Sequence, residues 1–257
     1  MASLQVENVF RYFGGVAALS NVTFSISPGE IVGLIGPNGA GKTTLFNVAT
    51  GFIKPTKGRI LFEDQVISNL APHEVASRGI IRTYQKTSIF PALTVSQNIA
   101  IGRHRLNQPG IWSALFRTQA HQTERRETAT RVKEILDFLA MDWAKDYAAQ
   151  NLSYGDQRKL EIAIALSARP KLLLLDEPAA GLNSEETGGL MEAIKKIQGQ
   201  GITILVVEHH MKLVMGICER IVVLNYGKKI AEGTPVQIQN NEEVIKIYLG
   251  EEVEDET

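Results

Sequence analysis

The stretch Ile31-Val32-Gly33-Leu34-Ile35-Gly36-Pro37-Asn38-Gly39-Ala40-Gly41-Lys42-Thr43-Thr44 decides how the rest of the chain is read. Its first five residues form a nearly continuous apolar run, the pattern of a strand buried on both faces. Gly36 to Thr43 then fit G-x-x-x-x-G-K-[ST], and Gly41 to Thr50 read as a helix ended by Gly51. Strand, glycine-rich loop and helix, in that order, form the context this motif requires. The glycines let the backbone wrap phosphates, its N–H groups donate to them, and the helix N-terminus adds partial positive charge. Lys42 is expected to reach the outer phosphates of a nucleotide, and the Thr43 hydroxyl to ligate Mg²⁺. Residues Gly36, Pro37, Asn38, Gly39, Ala40, Gly41, Lys42, Thr43 and Thr44 are therefore the candidate nucleotide cradle.

A second apolar run lies far downstream. Leu172-Leu173-Leu174-Leu175 reads as a buried strand, and it ends in Asp176-Glu177-Pro178. An acid at the C-terminal end of a central strand faces the crevice where open α/β sheets bind ligands. Asp176 suits the Mg²⁺ shell, and Glu177 suits a base that orients and polarises an attacking water. Without the phosphate loop, two adjacent acids at a strand end would only indicate exposure to solvent.

Working outward, residues 4–9, 22–26 and 59–63 are short and β-rich with partial alternation. Pro55-Thr56-Lys57-Gly58 is a turn before the third of these. From 88 to 160 the pattern changes to a helical lobe. Val132, Ile135, Leu136 and Leu139 recur at helical spacing within Thr123 to Ala140, and Ile111 to Phe116 is a short apolar piece inside a loop. Strand and helix alternate again afterwards. Asn183 is an expected helix cap with Glu186 three residues on, and Thr203 to Val207 is a buried strand. Ile221–Leu224 and Lys229–Ala231 flank a hairpin turn at Tyr226-Gly227, and two helical pieces follow, around Val236 and around Val244–Leu249. No internal repeat is visible. The expected organisation is one domain over 1–257, with a core from 1–87 and 161–257, the lobe at 88–160 and an acidic, solvated tail at 251–257.

Composition narrows the function classes. The 257 residues are 44% hydrophobic and 21% charged, which is ordinary for a globular chain. The single cysteine, Cys218, excludes an internal disulfide or a multi-cysteine metal site. No apolar run reaches the roughly 18–20 residues of a membrane-spanning helix, and the first residues lack the pattern of a secretory signal. A net charge of −1 argues against a broad nucleic-acid surface, so no nucleic-acid partner is expected.

One more segment specifies the kind of nucleotide machine. Leu152-Ser153-Tyr154-Gly155-Asp156-Gln157-Arg158 opens a helix, with Ser153 as an N-cap hydroxyl and Gly155 allowing close approach. Taken in order, the phosphate loop, the helical lobe, this segment, Leu175-Asp176-Glu177-Pro178 and a histidine after a strand resemble the ATP-binding subunit of an ABC transporter. The resemblance covers nearly the whole chain. It implies an α/β fold of P-loop type with an N-terminal antiparallel β subdomain and an inserted helical lobe. It also implies ATP hydrolysis with Mg²⁺. Ser153, Gly155 and Asp156 of one subunit then close over the γ-phosphate held by the Lys42 loop of another. By the same resemblance Gln85, in Arg82-Thr83-Tyr84-Gln85, senses Mg²⁺ and links to the lobe; His209 is the switch histidine for the γ-phosphate; and Phe13 stacks on adenine, with Tyr12 as the competing candidate.

The chain departs from the usual pattern in three places. Tyr154 and Asp156 interrupt the common Leu-Ser-Gly-Gly-Gln, Asn183 stands where an acid is frequent, and His210 follows His209 where an acid is common. Together with Met211-Lys212-Leu213-Val214-Met215-Gly216, Gly233-Thr234-Pro235 and Ile247-Tyr248-Leu249-Gly250, two of these departures resemble the larger ATPase subunit of branched-chain amino-acid importers. That branch implies transmembrane permease subunits, a second and similar ATPase, a periplasmic amino-acid-binding protein acting indirectly, and a peripheral place on the cytoplasmic face of the inner membrane. The alternatives are a lipopolysaccharide-export or urea-import ATPase, and a soluble ABC-type ATPase of DNA repair or translation. The last kind carries long coiled-coil insertions or two fused ATPase domains, and neither is present in this sequence.

Overall fold

The computed structural model describes residues 3–83, 89–103 and 119–251. The chain divides into two compact units. The first comprises Met1–Arg82, Lys171–Gly181 and Ile194–Thr257, and the second Thr83–Pro170 and Leu182–Ala193. Ile111–Phe116, Gln85 and residues 252–257 of the expected acidic tail lie outside the described residues.

The first unit holds two sheets. Strands β1 (Leu4–Phe13), β2 (Val16–Ile26), β4 (Lys57–Phe62) and β5 (Gln65–Val66) form an antiparallel sheet in the order β2-β1-β4-β5. The first two strands run longer than their alternation suggests, for a local reason. Asn8 and Asn21 adopt left-handed backbone, with φ of 47° and 56°, and the pairing register shifts there. Inward residues therefore step from Val6 to Val9 and from Leu19 to Val22, three places instead of two. Such bulges shift the side-chain phase, so a period-2 reading breaks at each. Thr23 supports the first bulge, accepting from the Asn8 N–H at 2.9 Å and donating to its side-chain oxygen at 3.2 Å.

The second sheet contains β3 (Ile31–Ile35), β6 (Ile80–Arg82), β7 (Leu172–Asp176), β8 (Thr203–Val207), β9 (Arg220–Asn225) and β10 (Lys228–Gly233). Its order is β10-β9-β3-β8-β7-β6, parallel from β9 to β6, with β10 antiparallel at one edge. Every residue of β3, β7 and β8 is buried, as continuous apolar runs require. Val32, Leu34, Leu172, Leu174, Leu205 and Val207 join Leu45, Phe46 and the inner face of the antiparallel sheet in one core. Each such large side chain contributes about 1.5–3 kcal/mol through burial. This parallel sheet flanked by helix, with a separate antiparallel sheet, is the α/β class that the sequence suggests.

The second unit is helical. Among the described residues its helices include Val95–Arg103, Gln119–Phe138 and Tyr154–Ser167, and short 3₁₀ turns at Asp142–Ala144 and Ala149–Asn151 lie between the last two. Val95, Ile99, Ile135, Leu136, Met141 and Leu160 are buried in it. Helix Ser184–Gln198 begins in this unit. Among the described residues, no helix is long and apolar enough to cross a membrane.

Candidate active site

Strand register assembles the first part of the site. Leu34 of β3 pairs with Val207 of β8, and Val207 with Asp176 of β7. The residues that follow these strands, Gly36, Glu208 and Glu177, thus leave three neighbouring parallel strands at the same C-terminal end, where α/β sheets present ligand-binding groups. The phosphate loop, the acid pair and His209 are brought to one sheet edge by this pairing.

Sterics fix the shape of the loop. A Cβ on Gly36, whose φ is 151°, would lie 2.1 Å from the Leu224 carbonyl oxygen; on Gly41, at φ 101°, it would lie 2.6 Å from the Ala18 carbonyl oxygen. Only glycine fits either place. Gly227 N–H, in the β9–β10 turn, donates to the Ala40 carbonyl at 3.0 Å and holds the loop from outside. Helix Lys42–Ala49 starts at Gly41 with no side-chain cap. The Lys42 ammonium donates to the carbonyls of Gly36 and Pro37 at 2.6 and 2.8 Å, so it lies back along the loop. Asn38, Gly39 and Thr43 are exposed, Ala40 and Pro37 buried, and Thr44 half-buried.

Asp176 is buried, and Arg82 at the end of β6 meets it at 2.7 Å, both side chains being 7% exposed. Arg82 also donates to the Asn47 side-chain oxygen at 2.7 Å, and its guanidinium stands 5.3 Å from the centre of the Phe46 ring. Arg82 therefore ties the helix after the loop to the strand that carries the acid pair. The sequence reading does not identify this contact, because the partners lie 94 residues apart. The only local signal is a charged residue closing the apolar run at Ile80-Ile81. Glu177 is half-buried, in left-handed backbone at φ 48°, and its N–H donates to the Val207 carbonyl at 2.9 Å. His209 is exposed and His210 half-buried. Phe13, 44% exposed, ends β1; the Arg11 guanidinium covers its ring at 4.6 Å, while Tyr12 is 38% exposed.

The remaining candidates belong to the second unit. Ser153 caps helix Tyr154–Ser167: its hydroxyl accepts from the Asp156 N–H at 3.1 Å and donates to the Asp156 carboxylate at 2.8 Å. Gly155 is buried, and its N–H donates to Glu186 Oε1 at 3.3 Å. The other Glu186 oxygen accepts from the Asn183 N–H at 3.0 Å, while the Asn183 side chain accepts from the N–H groups of Glu185 and Glu186. Asn183 and Glu186 thus form the expected capping box, and Glu186 additionally reaches the first turn of the neighbouring helix. Arg158 is buried behind this turn against Glu161 at 2.9 Å and the Tyr154 hydroxyl at 2.7 Å. Burial alone would lower the Arg158 pKa, but the hydrogen bond and charge of Glu161 outweigh it and hold the pKa above its usual value.

Comparison with known proteins agrees with this arrangement. The family described as ABC transporter matches residues 19–180, and that described as branched-chain amino acid ATP-binding cassette transporter matches residues 228–254. The chain is 45% identical to the high-affinity branched-chain amino acid transport ATP-binding protein LivG of Escherichia coli, over 96% of this chain and 98% of that one. It is 41% identical to the corresponding protein BraF of Pseudomonas aeruginosa, with the same coverage. A nucleotide-free ATP-binding cassette from an ABC transporter superposes with a TM-score of 0.85 at 33% identity, covering 96% of this chain and 99% of that one. The order of loop, acid pair and capped helix, the two-sheet core and these likenesses agree: the chain belongs to the ABC transporter family, as an ATP-binding subunit.

Proposed function

We propose that this chain hydrolyses ATP at an interface with a second cassette and drives the uptake of branched-chain amino acids through membrane permease subunits. The observation that supports this most is the shared register of Leu34, Val207 and Asp176, which sets loop, acids and histidine on one sheet edge. The match at residues 228–254 and the likeness to the branched-chain amino acid transport proteins LivG and BraF favour branched-chain amino acids over the other cargoes of the family. In this reading the chain sits peripherally on the cytoplasmic face of the membrane, with the periplasmic binding protein acting indirectly. Residues 88–160 form the lobe that presents Ser153 to the partner cassette.

The residues divide the work. The loop N–H groups and the Lys42 ammonium bind the β- and γ-phosphates of ATP, which offer better acceptors than the two carbonyls Lys42 now holds. Phe13 presents the ring face not covered by Arg11 to the adenine. The Thr43 hydroxyl and the Asp176 carboxylate are hard oxygen donors at the loop and the strand end, and they suit Mg²⁺. Among the described residues no group of three or more His, Cys, Asp or Glu could hold a metal ion. When bound, Mg²⁺ supplies positive charge against the β- and γ-phosphate oxygens.

Glu177 orients the attacking water and accepts its proton, work typically worth about 10²–10⁴-fold. His209 contacts the γ-phosphate from the next strand end. Ser153, Gly155 and Asp156 close over the γ-phosphate on the partner cassette, and charge stabilisation there supplies most of the catalysis. Gln85 senses the metal in this scheme. The test is Glu177→Gln. It is expected to bind ATP as the parent does and to lose at least about 100-fold in turnover. Near-parental turnover in contaminant-free protein would refute the assignment.

A further inference from the structure

Glu208 is a carboxylate with no exposed surface, placed between β8 and the histidine turn. Burying a carboxylate is unfavourable unless its lone pairs are filled. Among the described residues they are filled by backbone N–H groups. Oε1 accepts from the Ala179 N–H at 2.6 Å, and Oε2 accepts from the N–H groups of His209 and His210 at 3.0 and 3.1 Å. An apolar side chain would pack in this place at less cost, so packing does not explain the acid. Its distinctive effect is to join two segments 29 residues apart in the chain.

One of those segments is the corner after β7. Glu177 there is held in left-handed backbone, a conformation an ordinary residue keeps only when its surroundings enforce it. Two backbone bonds from this corner help to enforce it. The Val207 carbonyl takes the Glu177 N–H at 2.9 Å, and Glu208 takes the Ala179 N–H two residues on. The second segment is the turn leading into helix Met211–Ile217, whose N-cap is His210 without a side-chain cap bond. Glu208 supplies acceptors to that turn in place of such a cap.

We propose that Glu208 is a positioning residue. Its carboxylate locks the Glu177 corner and the His209 turn into one arrangement, so that neither side chain can be displaced without disturbing the other. The proposal rests on the roles given above to Glu177 and His209. Charge-assisted bonds to backbone N–H groups are short and directional, which suits a fixed spacing. Gln at this position keeps one acceptor oxygen and turns an amine toward a backbone donor, so it loses one of the two segments. Asp keeps the charge but is one methylene too short to span both.

The experiment compares the full chain with its Glu208→Gln, Glu208→Asp and Glu177→Gln variants, reading kcat, ATP affinity in EDTA, and amide exchange by NMR. In the parent protein the amides of Ala179, His209 and His210 are expected to exchange slowly. In Glu208→Gln they lose protection, and kcat falls by about 10–100-fold, the order expected for a misplacement of about 1 Å, with ATP affinity unchanged. Glu208→Asp shows the same split and carries the test if Glu208→Gln does not fold. Adding Glu208→Gln to Glu177→Gln gives little further loss, because the two act as a unit. Parental kcat in Glu208→Gln beside a dead Glu177→Gln overturns the proposal and leaves the functional reading standing. Parental kcat in Glu177→Gln overturns that reading itself. Fast exchange of the three amides in the parent, or equal losses of kcat and ATP affinity, overturns the positioning role.

Discussion

The phosphate loop and the Leu152–Arg158 segment are both helix starts that present N–H groups, and they are finished in opposite ways. The loop has glycine at its N-cap, no side-chain cap, and a cation lying along it. The segment has a serine cap, Asp156 in its first turn, and the Glu186 carboxylate on the Gly155 N–H. The first is an open helix start with no acidic residue in its first turn, which suits an anion. The second already has carboxylates of its own chain at its positive end, and a phosphate arriving there must compete with or rearrange them. In the proposed scheme this difference accounts for why nucleotide binding is read from one short stretch, while the segment acts through another cassette.

The largest expected effect lies beneath the cradle. Arg82→Met removes the buried Arg82–Asp176 ion pair and is expected to cost about 3–5 kcal/mol of stability in denaturant unfolding. A loss below about 1 kcal/mol, the range of exposed pairs, would remove Arg82 as the tie between loop helix and acid strand.

Next comes the shape of the loop itself. Gly36→Ala meets the Leu224 carbonyl and an unfavourable φ together, and is expected to cost about 3 kcal/mol or more. Gly39→Ala has nothing within 4 Å of its added carbon, only a φ of 76°, and is expected to cost about 1 kcal/mol. Thermal unfolding of the two variants side by side checks this; equal losses would mean that backbone conformation, not the close approach at Gly36, shapes the cradle. The smallest effect belongs to the capped side of the comparison. Asn183→Ala removes the acceptor for two N–H groups and is expected to cost about 1 kcal/mol, with ATP affinity of the isolated chain unchanged. A loss of ATP affinity would join the two regions more closely than this account does.

What the sequence makes legible is local. The β3–loop–helix stretch, the Leu172–Asp176 strand, the Asn183 cap and the hairpin at Tyr226-Gly227 each declare themselves within about a dozen residues, through apolar runs, glycine placement and capping chemistry. Contacts between distant residues do not declare themselves. Neither Arg82 on Asp176 nor Glu186 on Gly155 has a sequence pattern. Helix Val95–Arg103 is hidden for another reason. Asn98, the polar residue in its middle, is fully buried and bonds to the backbone of Phe90, Leu93 and Thr94, which interrupts the apolar periodicity that would mark a helix. The antiparallel strands are shortened in the reading by the bulges at Asn8 and Asn21, which shift the phase of alternation.

The central claim is that the cradle works alone for binding and needs a second cassette for turnover. The most direct test measures ATP binding and ATP hydrolysis per chain across protein dilution, with the chain alone and with the second cassette of its transporter titrated in. Binding per chain is expected not to depend on concentration, and hydrolysis per chain to rise with the concentration of either cassette. Hydrolysis per chain that stays constant on dilution, with or without the second cassette, would contradict it.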